Sequence, residues 1–201
     1  MKLDDKPFYK INLDISWANP KYKDEAIRSI TARKFPIHNI WQLPKNYINP
    51  ELVDLMRGMG FTGLKGYFFT TPPNSSSIIH VDSNVPMNDK WALNWSWGSD
   101  DHDMTWYLLK QDYKPKMMRD AVATGAYTKF LDFSPDSVEL LDTTVVEESS
   151  PTLVKIGIPH RVENRSSNVR WSVSIRDEGI LDPANKDKGW DYIVEKIAKY
   201  I

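Results

Sequence analysis

A mainly β protein, built as a jelly roll with helices at both ends, is the fold class that this 201-residue chain predicts. Two observations predict it. From residue 64 the chain becomes a succession of short runs rich in aromatic and β-branched residues, separated by turn clusters, which is the signature of an all-β sandwich or barrel. Helical spacing is confined to the two ends and one insertion, so the β runs must pair with one another, and eight of them suit two sheets wrapped as a jelly roll.

In chain order, 1–63 reads as a helical and irregular embellishment, 64–176 as the jelly-roll core and 177–201 as a C-terminal helix, within one domain. In the embellishment, 21–33 and 50–59 have helical character, the second opened by Asn49 as N-cap ahead of Pro50. Core strands are expected at 65–71, 77–82, 91–97, 104–110, 141–147, 152–157, 160–164 and 170–176, with a helical insertion at about 115–124. The tail from 187 sets Trp190, Ile193, Val194, Ile197 and Ile201 on one helical face, which docks on a sheet.

Lysine and arginine total 26 against 27 aspartates and glutamates, a formal net charge of -1. This balance gives no electrostatic footprint for nucleic acid or an anionic membrane. No run approaches a membrane span and the start has no signal-peptide core. A soluble cytoplasmic protein acting on a small molecule or peptide is the expectation. Cysteine is absent, which excludes disulfides, thiolate zinc sites and iron–sulfur clusters. Any metal site must be built from nitrogen and oxygen.

Side chains alternate along a strand, so parity tells which residues share an environment. In 91–97, Ala92, Asn94 and Ser96 form a small polar face against Leu93, Trp95 and Trp97. In 170–176, Arg170, Ser172, Ser174 and Arg176 oppose Trp171, Val173 and Ile175. Each polar face lies either in water or along a ligand cavity. The strand tryptophans, Trp91, Trp95, Trp97, Trp106 and Trp171, are expected mostly in the core.

His80 and Asp82 project from the same side of their strand and can chelate one ion; His160 opens the seventh strand. Two imidazoles and one carboxylate leave open positions on an octahedral ferrous ion. Arg170 follows His160 by ten residues, with Ser172 beyond it. On these residues the chain resembles the iron(II)- and 2-oxoglutarate-dependent dioxygenases of the double-stranded β-helix, cupin-like fold, in the prolyl and aspartyl/asparaginyl hydroxylase-like group. The resemblance covers about 64–176.

The resemblance implies His80, Asp82 and His160 as ligands of Fe(II) and as the catalytic centre. It implies Arg170 and Ser172 as anchors of the distal carboxylate of 2-oxoglutarate, with Asn94, Trp106 and Tyr107 as less specific matches. With O2, such a site hydroxylates a protein side chain or amino-acid-like substrate and releases succinate and CO2. Arginine suits the anchor because its planar fork makes two charge-assisted bonds to a carboxylate. Arg176 competes with Arg170 on parity, but reads as a salt-bridging strand end. His38 reads as a surface or packing residue, and His102 as part of a solvated acidic loop. Three rivals remain: a cupin-like module that binds metal or a small ligand without oxidation, an isomerase or epimerase using His160 as base and Tyr107 as acid, and a purely structural or assembly role, which requires that the polar faces of 92–96 and 170–176 enclose no cavity.

Overall fold

A strand that is polar on one face and apolar on the other needs two different coverings, and this chain supplies both. The computed structural model describes residues 6–31, 39–82, 90–110, 117–123, 126–178 and 189–201. Their elements are β1 (Phe8–Lys10), α1 (Lys23–Thr31), β2 (Asn39–Gln42), α2 (Pro50–Gly58), β3 (Leu64–Thr71), β4 (Ser75–Ser76), β5 (Ile79–Val81), β6 (Trp91–Trp97), β7 (His102–Leu109), β8 (Met117–Ala123), β9 (Ala126–Phe133), β10 (Val138–Thr144), β11 (Thr152–Lys155), β12 (His160–Asn164), β13 (Arg170–Asp177) and α3 (Trp190–Ile197).

The strands form two antiparallel sheets, ordered β1-β11-β6-β13-β3-β2 and β10-β7-β12-β5-β9-β8. The eight expected core strands occupy β11-β6-β13-β3 in one and β10-β7-β12-β5 in the other. The chain winds between the sheets as a double-stranded β-helix, the jelly roll. Mainly β architecture with flanking helices is therefore the fold.

The apolar faces of β6 and β13 turn outward. Leu93, Trp95, Val173 and Ile175 pack with Leu52 and Met56 of α2 and with Trp190, Ile193 and Ile197 of α3. The helices thus cover what would otherwise be a greasy outer wall, and the polar faces are left to the interior. Between the sheets a second cluster of Phe8, Met104, Trp106, Val146, Val154 and Ile156 plugs the β11–β7 side of the roll. Trp106 stacks on Phe8 and donates its indole N–H to the Lys155 carbonyl.

Asn49 caps α2 as its sequence predicts: the Glu51 N–H donates to Asn49 Oδ1 at 3.0 Å. The Asn49 amide also donates to the Ser16 carbonyl. Asn49→Ala should cost about 1–2 kcal/mol, read as a lower denaturant midpoint at unchanged m-value.

The structure corrects three expectations. Residues 117–123 are a strand, not a helix; 115–116 and 124 lie outside the described residues. Met and Ala are good helix formers, but propensity is a weak determinant: the neighbouring run of β9 pairs with this segment from Met117↔Asp132 to Ala123↔Ala126, and tertiary pairing overrides it. The edge strands β1 and β2 are also not legible in the sequence, because three or four residues are too short to show a period. Ile201 is 48% exposed: beyond Ile197 the chain tightens into a 3-10 turn, whose different angular step turns Ile201 off the buried face.

Candidate metal centre and anion pocket

Antiparallel pairing brings the two histidines together. His160 on β12 lies opposite His80 on β5 and opposite Trp106 on β7, and directly opposed residues share a face. Asp82 follows His80 by two residues on the same side. The donor atoms of His80, Asp82 and His160 all lie within 4.8 Å of one another. Asp82 Oδ1 is 3.2 Å from His80 Nε2 and 3.9 Å from His160 Nε2. Ligand atoms around one divalent ion are about 3 Å apart at bond lengths of ~2.1 Å, so the spacing suits an ion.

The unused ring nitrogens carry the same message. His80 Nδ1 faces the Ile78 carbonyl and His160 Nδ1 the Ile158 carbonyl, each at 2.9 Å. A carbonyl only accepts, so both Nδ1 atoms carry a proton; His160 Nε2 is left as a lone pair, while His80, raised against its burial by the contact with Asp82, donates from Nε2 to that carboxylate and is free for a metal once it gives up that proton. This is the outer hydrogen bonding that prepares imidazole for a metal. The donor set of two nitrogens and one oxygen fits Fe(II) and other divalent first-row ions.

Asp82 has a second anchor. Its Oδ2 accepts from Arg176 Nη1 at 3.0 Å, so one oxygen is held by the arginine while the other faces the histidines. The Arg176 guanidinium lies over the Tyr67 ring, 4.2 Å from its centroid, with Nε 3.8 Å from Glu178. Tyr67 donates its hydroxyl to Glu178 at 3.0 Å. Burial and the Glu178 charge push the Tyr67 hydroxyl up to about 12, so it stays a donor at neutral pH.

Burial opposes the Asp82 charge, yet the His80 hydrogen bond and the Arg176 charge hold its carboxyl well below the usual carboxylate range. Burial and the neighbouring His80 lower His160 to about 4, which keeps it neutral and available as a ligand. Arg176→Gln should weaken metal binding by about 10- to 100-fold, because Asp82 loses the contact that aims it. Metal titration followed by elemental analysis checks this.

Further along the same interior face lies a second polar region. Arg170 is 2% exposed. Its Nη2 donates to Ser96 Oγ at 2.5 Å, and Ser96 Oγ donates to Ser172 Oγ at 3.2 Å. With Ser96 spending its proton on Ser172, the Ser172 hydroxyl proton remains to be given to an acceptor. Arg170 Nε has no partner, and among the described residues no carboxylate lies within 4.0 Å of this guanidinium. Burial lowers Arg170 to about 10, which still leaves it a cation.

Buried charges are normally paired; among the described residues this one has no carboxylate in contact, and Asp103 acts on it only from beyond 4.0 Å. Asn94, opposite Ser174 and Thr152 in the register, sits one step nearer the histidines. The Asn94 Oδ1 and Thr152 Oγ1 atoms are also buried without partners among the described residues.

The structure thus brings His80, Asp82 and His160 together, and sets Arg170, Ser172 and Asn94 along the adjoining wall. Asn164 helps fix the nine residues between His160 and Arg170: its buried amide donates to the Thr71, Pro72 and Asn168 carbonyls. Sequence reasoning leaves Ser96 as an anonymous member of the polar face and gives Arg176 no link to Asp82. Parity with Asn94 and Arg170 is the available signal for both.

His102 is not in a solvated loop. It opens β7, is 6% exposed and donates Nε2–H to the Val146 carbonyl at 2.8 Å, because its strand begins two residues earlier than the hydrophobic run suggests. Tyr107 lies on the face of β7 opposite Trp106, hence opposite His160, which removes the acid–base pair of the isomerase reading. His38 lies outside the described residues.

No family model matches this sequence, and no curated protein does. Among solved structures, a point mutant of Bacillus subtilis oxalate decarboxylase overlaps with a TM-score of 0.37 at 10% identity, over 74% of this chain and 28% of that one. A Lactobacillus farciminis oxalate decarboxylase in a formate complex overlaps with a TM-score of 0.37 at 8% identity, over 72% and 30%. The chain spans under a third of the length of these relatives. At that overlap the likeness carries no argument about this chain. No helix among the described residues is long and apolar enough to cross a membrane.

Proposed function

We propose that this protein is an Fe(II)- and 2-oxoglutarate-dependent dioxygenase that hydroxylates a protein side chain or amino-acid-like substrate. The observation that carries the reading is Arg170: a buried, uncompensated guanidinium on the same interior wall as a His-Asp-His cluster. A site for metal alone has no use for it, whereas a short diacid spanning from the cluster to Arg170 supplies the missing anion. Iron bound by His80, Asp82 and His160 would supply the activation of O2 and the oxidative decarboxylation of the cosubstrate to succinate and CO2.

The chain's own residues have distinct tasks in this reading. Arg170 and the Ser172 hydroxyl bind the distal carboxylate, and Ser96 holds both in place. Asn94 and Thr152 line the stretch between. Arg176 fixes the Asp82 carboxylate, and the Phe8, Trp106 and Ile156 cluster closes one side of the roll against water, which strengthens every charge contact inside. Substrate orientation is the protein's share of the rate.

The test is succinate formation by protein supplied with Fe(II), ascorbate and 2-oxoglutarate, against His80→Ala. No difference between them, together with no binding of 2-oxoglutarate in a titration, would sink the proposal. A second reading, a cupin-like module that binds metal or a small ligand without oxidation, rests on the fold and the ligand cluster themselves. It expects metal uptake with no succinate.

A further inference from the structure

Beyond the metal, the same interior rows of β6 and β13 end in two opposite charges. The pairing of β6 with β13 runs as far as Leu93 with Ile175, and Lys90 and Glu178 follow three residues beyond it on the two chains. Both lie one residue beyond the strands and are tied to them by backbone hydrogen bonds: the Ile156 N–H donates to the Lys90 carbonyl and the Glu178 N–H to the Gly63 carbonyl. Their side-chain contacts bring both to the Asp82 end of the two polar faces. Lys90 Nζ reaches the Asp82 carbonyl at 3.3 Å, and Glu178 lies 3.8 Å from the arginine that grips Asp82.

Their bonding is incomplete in complementary ways. Nζ has three protons, and the Asp82 carbonyl takes one over a long distance. Glu178 receives the Tyr67 hydroxyl and the more distant Arg176 on one oxygen, Oε1, while Oε2 has no hydrogen bond or ion pair among the described residues. No ion pair of 4.0 Å or less joins Lys90 to Glu178. Glu178 is one quarter exposed and Lys90 is half-buried. A neutral group covering this rim, such as an internal peptide residue, would strand two charges away from water. A ligand with a cation and an anion would satisfy both.

We propose that the rim beside the metal centre takes a free, zwitterionic α-amino acid, Glu178 receiving its ammonium group and Lys90 its carboxylate. This rests on the oxygenase reading for its consequence, since the bound amino acid would be the molecule oxidised. It does not rest on that reading for its geometry.

Calorimetric titration of the Zn(II)-loaded protein with each of the twenty L-amino acids tests the assignment. At least one should bind, and its N-acetyl and C-terminal amide derivatives should each bind about ten- to a hundredfold more weakly, the loss expected for one charge-assisted hydrogen bond. Glu178→Gln should erase the preference for the free amine, and Lys90→Met the preference for the free acid, each leaving the other preference in place. Circular dichroism and metal content verify that the variants fold; if one does not, the blocked derivatives on the unaltered protein decide alone. Binding by no free amino acid, or equal binding of the blocked forms, overturns the proposal. A parallel 2-oxoglutarate titration separates the two claims: amino-acid binding without 2-oxoglutarate binding removes the oxygenase reading and keeps the rim.

Discussion

Arg170→Met should raise the dissociation constant for 2-oxoglutarate by about two orders of magnitude, the scale of losing a desolvated charge partner. It should do so at unchanged metal content, because Arg170 contacts Ser96 and none of the three ligands. Arg170→Lys should fall between, since a lysine keeps the charge without the planar fork. The variant also makes an opposite prediction about stability. A guanidinium 2% exposed and with no carboxylate in contact among the described residues is a cost in the ligand-free protein. The methionine variant should therefore melt no lower than the parent without ligand, and should lose the upward shift that 2-oxoglutarate gives the parent. Loss of metal or a large drop in melting temperature would make Arg170 a structural residue and remove the support it gives the oxygenase reading.

Asp82→Ala should abolish metal binding and destabilise the protein at once. The first effect follows because one of three donors is gone. The second follows because Arg176, whose side chain is 8% exposed, loses the carboxylate at 3.0 Å and is left, among the described residues, with Glu178 at 3.8 Å and the Tyr67 ring. Breaking a buried pair from one side costs about 3–5 kcal/mol. Asp82→Asn separates the effects: its amide oxygen can still accept from Arg176, so more stability should survive while metal affinity falls. Elemental analysis and denaturant midpoints on both variants give the two readouts. Equal stability of the alanine variant and the parent would mean that the Arg176 contact is not made in solution.

Much of the fold is legible because the core strands are strongly patterned. The runs 91–97 and 170–176 alternate small polar against large apolar residues without a break, and both strands fall almost to the residue where that pattern puts them. The segment 117–123 is not legible, since its Met and Ala residues are compatible with helix and only β9 beside it makes it a strand. The helical tail follows its apolar spacing through Ile197 and departs from it at Ile201, where a tighter turn changes the angular step. In the site, the spacing of His80, Asp82, His160 and Arg170 is visible as a list of residue types. The roles of Ser96, Arg176, Lys90 and Glu178 are not, because each depends on which strands lie side by side.

The sequence by itself determined which residues share a face. Period two puts Asn94 with Ser96, and Arg170 with Ser172, Ser174 and Arg176, whatever the sheet does around them. It could not say whether those faces meet water or a cavity, since an ordinary surface strand has the same pattern. The tertiary structure decided that: α2 and α3 dock on the outer, apolar side of β6 and β13, so the polar side is the one turned inward. The same step gave the two arginines different surroundings. Strand winding sets Arg176 against Asp82 and leaves Arg170 buried with no carboxylate in contact among the described residues, and no local pattern distinguishes two cations six residues apart on one face.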